Sequence, residues 1–187
     1  MANQNSYRSR TYHLVIEEYD KENDKHLTLE DLQKCCNEDL KIKFYAFIKH
    51  DKDVDVRVHY HIVLLLNQTY SKSTIIHSFA SSLLCNVDII SCRKIKSFVG
   101  SINYLIHKGI EDKYQYNYFD IYTNDDNELN SCMLLGASTY ELDIDYLYQL
   151  CKHYDSLSDI YKCLGLELSK KYRSLILDMY NEEHFRF

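Results

Sequence analysis

No apolar run in this sequence approaches the ~20 residues that a membrane-crossing helix needs, so a helical membrane span is excluded. The opening M-A-N-Q-N-S-Y-R-S-R holds no apolar stretch, and no secretory signal is expected. Paired thiols are missing too. The seven cysteines (Cys35, Cys36, Cys85, Cys92, Cys132, Cys151 and Cys163) form no C-x-x-C, and their odd number makes a poor disulfide framework. Free thiols in a reducing cytoplasm are the expectation. Proline is absent while Asn, Lys, Ile and Tyr are plentiful, the usage of an AT-rich coding sequence. Internal repeats and low-complexity segments are absent as well.

An excess of positive charge is also lacking. The formal net charge of −6 argues against a general nucleic-acid binder, but the charge is unevenly spread. Residues 1–118 hold 16 Lys and Arg against 15 Asp and Glu, whereas residues 119–187 hold 6 against 13. Two units with different tasks are expected, residues 1–123 and 124–187. Within the first, residues 93–108 carry Arg93, Lys94, Lys96 and Lys108 and no acid. That is either a local basic patch or a solvated helix face.

The pattern of strand formers and caps predicts a β-α-β-β-α-β-α order. Thr11–Glu18, Ile42–Lys49, His59–Leu66 and Asn86–Ser91 read as strands. Thr28 caps a helix with Leu29, Leu32 and Cys36 on one face, and 71–84 is a second helix with Ile75, Phe79 and Leu83 inward. Lys96–Lys108 is a third, with Gly109 placed as a left-handed cap. Two β-α-β halves of this kind fold into an α+β, ferredoxin-like (RRM-like) antiparallel sheet with helices packed on it. Tyr116–Tyr122 offers an edge strand, and 123–131 reads as a polar linker or loop. Tyr140–His153, Leu157–Leu164 and Glu167–Tyr180 then form a small helical unit.

The third strand opens H-Y-H-I-V-L-L-L. Residues i and i+2 of a strand share a face, so His59 and His61 point the same way. The aliphatic run that follows is apolar on both faces, as in a central strand. Two imidazoles at its start need partners, and a divalent cation serves both. The preceding strand ends K-H-D-K-D. If the two strands pair as a hairpin, His50 and Asp53 join His59 and His61 at one corner, with Asp51 and Asp55 as alternative carboxylates. Three imidazoles and a carboxylate suit Mn²⁺, or Mg²⁺ with water, and tolerate Zn²⁺ or Co²⁺. Two solvated histidines at an exposed strand end are the plainer alternative. In the helix from Ser97, Phe98, Val99, Ile102, Leu105 and Ile106 form one stripe, and Tyr104 falls nearly opposite, with Lys108 at i+4. A phenol there is either a surface tyrosine or a nucleophile for a phosphate polarised by a metal.

K-H-D-K-D, H-Y-H before aliphatics and N-Y-L-I-H-K, in this order, resemble the HUH endonucleases, and among them the RepB-type initiators of small rolling-circle plasmids. The resemblance covers residues 11–118 and extends loosely to the C-terminal helices. It implies a metal held by His50, Asp53, His59 and His61, with Mn²⁺ or Mg²⁺ as cofactor, and Tyr104 as nucleophile. It further implies a site-specific nick in single-stranded or hairpin origin DNA that leaves a 5′-phosphotyrosine link and a free 3′-OH. Lys108 or Lys49 would hold the phosphate or favour the phenolate. Lys49, Arg93, Lys94 and Lys96 would contact DNA. The C-terminal helices would serve homo-oligomerisation, with host replication proteins as further partners. The loop between the histidine motifs, V-D-V-R-V, is shorter than the basic insertion some members carry. A single-tyrosine transposase or relaxase of the same superfamily, or a non-catalytic RRM-like binding module, are the other readings of the same residues.

Overall fold

The computed structural model describes residues 8–54, 56–134 and 143–185. It divides into two compact units, one up to Asn124 and one from Asp125 onward.

The first unit runs β1 (Arg8–Glu17), β2 (Tyr19–Asp20), β3 (Lys25–His26), α1 (Leu29–Glu38), β4 (Ile42–His50), β5 (His59–Ser71), α2 (Lys72–Leu83), β6 (Ile90–Lys94), α3 (Phe98–Leu105) and β7 (Tyr122–Thr123). The main sheet is five-stranded and antiparallel, in the order β6-β1-β5-β4-β7. Setting aside the β2–β3 ribbon and the β7 edge, the order is fourth, first, third, second. That is the ferredoxin-like arrangement expected from the sequence.

The strands alternate between two buried faces. Tyr12, Leu14 and Ile16 of β1, Tyr60, Ile62 and Leu64 of β5, and Tyr45 and Phe47 of β4 pack against Leu32 and Cys36 of α1 and Ile75, Phe79 and Leu83 of α2. The other face carries His13, His59, His61 and His50 and lies under α3, where Phe98 meets Phe44 edge-on at 5.7 Å. Caps set where the helices begin. Thr28 and Asp31 form a reciprocal capping box on α1, and Ser71 accepts from the Thr74 N–H on α2. Phe79 is 1% exposed in this core. Replacing it with alanine is expected to lower stability by about 3–5 kcal/mol, read from the denaturant midpoint.

Several boundaries differ from expectation. The fourth predicted strand begins later, because Val87–Ile89 forms a single 3₁₀ turn capped by Asn86. The third helix is only eight residues long and ends at Leu105. Gly109 does adopt a left-handed φ of 74°, but in a turn beyond the helix rather than as its cap. The edge strand shrinks to Tyr122–Thr123.

The second unit holds α4 (Asp126–Met133), α5 (Ile144–His153), α6 (Leu157–Lys171) and α7 (Arg173–His184). The expected linker over 123–131 is largely helix α4. Asp125 caps it and its first turn is acidic, so its polar sequence is a solvated face over buried Leu129, Cys132 and Met133. The start of the helix expected from Tyr140 lies outside the described residues. Gly165, with φ 73°, kinks α6 where the sequence separated two segments, and the next break falls at Tyr172. Leu147, Leu150, Cys151, Ile160, Leu164 and Ile176 fill this unit's interior. No helix among the described residues is long and apolar enough to cross a membrane.

Candidate metal centre

The hairpin of β4 and β5 creates the corner. His50 is paired directly with His59, and Ile48 with His61. Both histidines of H-Y-H leave the strand on the α3 face. Tyr60 points to the opposite face, where its hydroxyl donates to the Leu27 carbonyl at 2.8 Å. Ring centroids of His50 lie 5.3 Å from His59 and 4.4 Å from His61. All three imidazoles are buried, and their ligand atoms lie within 4.8 Å of one another. Asp53 arrives from the loop after β4, with one carboxylate oxygen 3.5 Å from His50 Nδ1. Of the alternative carboxylates, Asp51 is exposed, and Asp55 lies outside the described residues.

Main-chain carbonyls orient these rings. A carbonyl only accepts, so in a neutral imidazole the nitrogen facing it carries the hydrogen and the other nitrogen keeps its lone pair. His50 Nε2 donates to the Leu105 carbonyl at 2.7 Å, which leaves Nδ1 as the lone-pair atom. His59 Nδ1 donates to the Arg57 carbonyl at 2.7 Å, which leaves Nε2. His61 Nε2 lies 3.0 Å from His59 Nε2, and its Nδ1 lies 2.7 Å from His13 Nε2 on β1.

The corner is therefore rich in acceptors. His50 Nδ1 and Asp53 Oδ1 are buried without a hydrogen-bond partner, a costly arrangement unless a cation fills it. Protonation does not relieve it. Burial pushes His50 down to about 4, with the neighbouring His107 and His59 adding to the effect against the Leu105 carbonyl. Burial, with Arg93 and His50, takes His13 to about 4. His61 is pushed down as well, by burial and then by His50 and His13. These residues fit a divalent metal.

The same shifts set an acid limit. At pH values below the ordinary 6.5 the unfolded imidazoles take up protons while His13 and His50 stay neutral down to about 4. The unfolded state then binds more protons, so stability is lost as the pH falls through that window. The melting temperature is expected to drop steeply from pH 7 to pH 4.5, and less in a variant with His13 and His50 replaced by glutamine.

Tyr104, on α3, is half-buried above the cluster. Its ring lies edge-on to His61 at 5.4 Å, to His107 at 5.3 Å and to His13 at 5.8 Å. Thus the tyrosine opposite the apolar stripe faces the histidines. Lys113 Nζ donates to its phenol oxygen at 3.1 Å, and the Arg93 guanidinium lies 5.8 Å from its ring centre. Arg93, Lys94 and Lys96 are exposed on and just after β6. Lys49 is held by Glu18 at 2.7 Å. Lys108 is half-buried in the turn after α3.

Three residues near Tyr104 and the cluster escaped the sequence reading. His13 sits on the strand face opposite Tyr12, Leu14 and Ile16, and a histidine on an otherwise buried face was the available signal. His107 is the histidine of N-Y-L-I-H-K, three residues after Tyr104. It is fully buried, with a centroid 4.3 Å from His50. Lys113 comes from the loop that follows, and nothing in its local pattern marks it.

The sequence matches the family described as plasmid replication protein, origin binding domain, over residues 4–130. The chain belongs to that family. No match is found among curated proteins. The matched span of this origin-binding domain takes in every residue of the corner from His13 to Lys113, together with the exposed Arg93, Lys94 and Lys96.

Proposed function

We propose that this origin-binding domain is a metal-dependent, site-specific endonuclease of the HUH, RepB-like type, which nicks one strand of a rolling-circle plasmid origin. The observation that carries the reading is the phenol of Tyr104 set against a buried imidazole–carboxylate cluster with unsatisfied acceptors. A structural tyrosine has no need of that neighbourhood, whereas a nucleophile directed at a metal-polarised phosphate does.

His50, Asp53, His59 and His61 would hold the ion, and the nitrogen-rich set favours Mn²⁺ over Mg²⁺. When bound, it supplies a Lewis acid that draws charge from the non-bridging oxygens of the scissile phosphate. Tyr104 Oη forms a bond to phosphorus as the bond from phosphorus to the 3′ oxygen breaks. The phenol gives up its proton and the departing oxygen takes one, leaving a 3′-OH. One phosphodiester replaces another, so rejoining needs no nucleotide cofactor. Lys113 is placed to hold the attacking oxygen. Arg93, Lys94 and Lys96 offer cations for the backbone of single-stranded or hairpin DNA. Lys108 is retained as a candidate phosphate contact. Lys49 is a weaker one, because Glu18 already pairs with it. The helical unit from Asp125 onward is assigned to self-association. Host replication proteins would extend the 3′ end in the cytoplasm.

The test is incubation of the protein with labelled origin oligonucleotide and Mn²⁺, followed by a denaturing gel. An SDS-resistant adduct that disappears with chelator is expected. Tight origin binding with no adduct under any divalent metal would leave a binding module and overturn the nuclease.

A further inference from the structure

The cluster contains a second group of donors, His50, Asp53 and His107, whose ligand atoms also lie within 4.8 Å of one another. His107 belongs to no part of the H-D-K-D and H-Y-H motifs. We propose that His107, through Nε2, is a further ligand of the cation held by His50, Asp53, His59 and His61. This rests on the reading of the corner as a metal centre.

Four observations support it. His107 Nδ1 donates to the Tyr114 carbonyl at 2.9 Å and lies 3.6 Å from Asp53 Oδ1, so in the neutral ring Nε2 is the lone-pair atom. Nε2 is buried and without a hydrogen-bond partner, in company with His50 Nδ1 and Asp53 Oδ1. The three orphaned atoms are all acceptors, and they belong to the three residues of this one group. Acceptors cannot satisfy one another, whereas a cation bound among them would. Finally, the backbone at His107 is left-handed, with φ 56°. Few residues other than glycine adopt this conformation, and it is strained for a side chain of this size. Here it turns the chain just beyond the end of α3, with the imidazole fully buried beside Tyr104.

The consequence is mechanical. Tyr104 and His107 are three residues apart, across the end of α3. With His107 on the ion, metal and nucleophile are tied through one turn of chain rather than through two elements packed together. Such a link holds the phenol near the polarised phosphate within the tolerance that oriented attack requires.

The geometry of the turn supplies a selective variant. In His107→Asn the carboxamide nitrogen takes roughly the place of Nδ1 and can still donate to the Tyr114 carbonyl. Asparagine also accepts a positive φ. Only the Nε2 position is emptied. Mn²⁺ titration of the full chain without DNA, by calorimetry, is expected to show affinity reduced by about 10–100-fold. Pulsed EPR of the Mn²⁺ complex is expected to show one fewer coordinated imidazole nitrogen. Melting temperatures of the metal-free proteins check that the fold is kept, and His107→Gln serves as a second variant. Its longer amide returns an oxygen to the emptied position, so it should recover part of the affinity without the nitrogen signal. Unchanged Mn²⁺ affinity and nitrogen count in a folded Asn variant would overturn the role of His107 alone. Absence of Mn²⁺ binding by the wild-type chain would remove the metal centre itself, and this inference with it.

Discussion

Replacing Tyr104 with phenylalanine is expected to abolish covalent attachment to origin DNA, by at least about three orders of magnitude in rate, while leaving origin binding and Mn²⁺ affinity within a few-fold of wild type. The substitution removes one oxygen. The ring keeps its edge contacts to His61, His107 and His13, and the helix keeps its buried Ile102 and Leu105. The hydroxyl gives up its hydrogen bond from Lys113, an exposed side chain that returns to solvent. Little else in the structure can fail, which makes this variant informative. It is read by SDS gel of labelled oligonucleotide, with binding measured separately by anisotropy. An adduct that persists would point to another nucleophile, and the 18 tyrosines of the chain provide many to search.

The second large effect is expected from His59→Ala combined with His61→Ala. The double variant should lose at least about 100-fold in Mn²⁺ affinity and all detectable Mn²⁺-dependent nicking. Both rings leave the same face of β5, and their Nε2 atoms lie 3.0 Å apart, so each is within reach of whatever the other binds. Deletion also strips His13 Nε2 of its partner. A stability measurement therefore accompanies the metal titration. Unfolding of the metal-free double variant within about 2–3 kcal/mol of wild type, with nicking lost, separates a ligand role from a packing role. Retained nicking at wild-type metal concentrations would dismiss the centre at this corner.

Much of the first unit could be read from pattern. Runs of strand formers placed the strands, and Thr28 marked a helix start because its side chain satisfies one of the first free N–H groups. The hairpin that joins K-H-D-K-D to H-Y-H followed from two strands and a short loop. What could not be read was set by tertiary demands. Helix α3 stops at Leu105 although the residues after it suit a helix, and the chain turns through a left-handed His107 whose ring is buried. Lys113 reaches Tyr104 from a loop whose path depends on Tyr116, stacked on His50 at 4.3 Å with its hydroxyl accepting from the Lys52 N–H. His13 was visible as a polar residue on an apolar strand face, but its partner lies 48 positions away. Helix α4 was hidden by its own solubility, since only one side of it is apolar.

The carbonyls that orient His59 and His107 belong to Arg57 and Tyr114, and both of those side chains are exposed. Every amino acid brings the same carbonyl, so these positions can change identity without altering the imidazoles they steer. Arg57 and Tyr114 border the corner where a DNA strand would arrive. A replicon whose origin drifts could thus revise the residues that greet the new sequence while the chemistry beneath them is handed down unchanged.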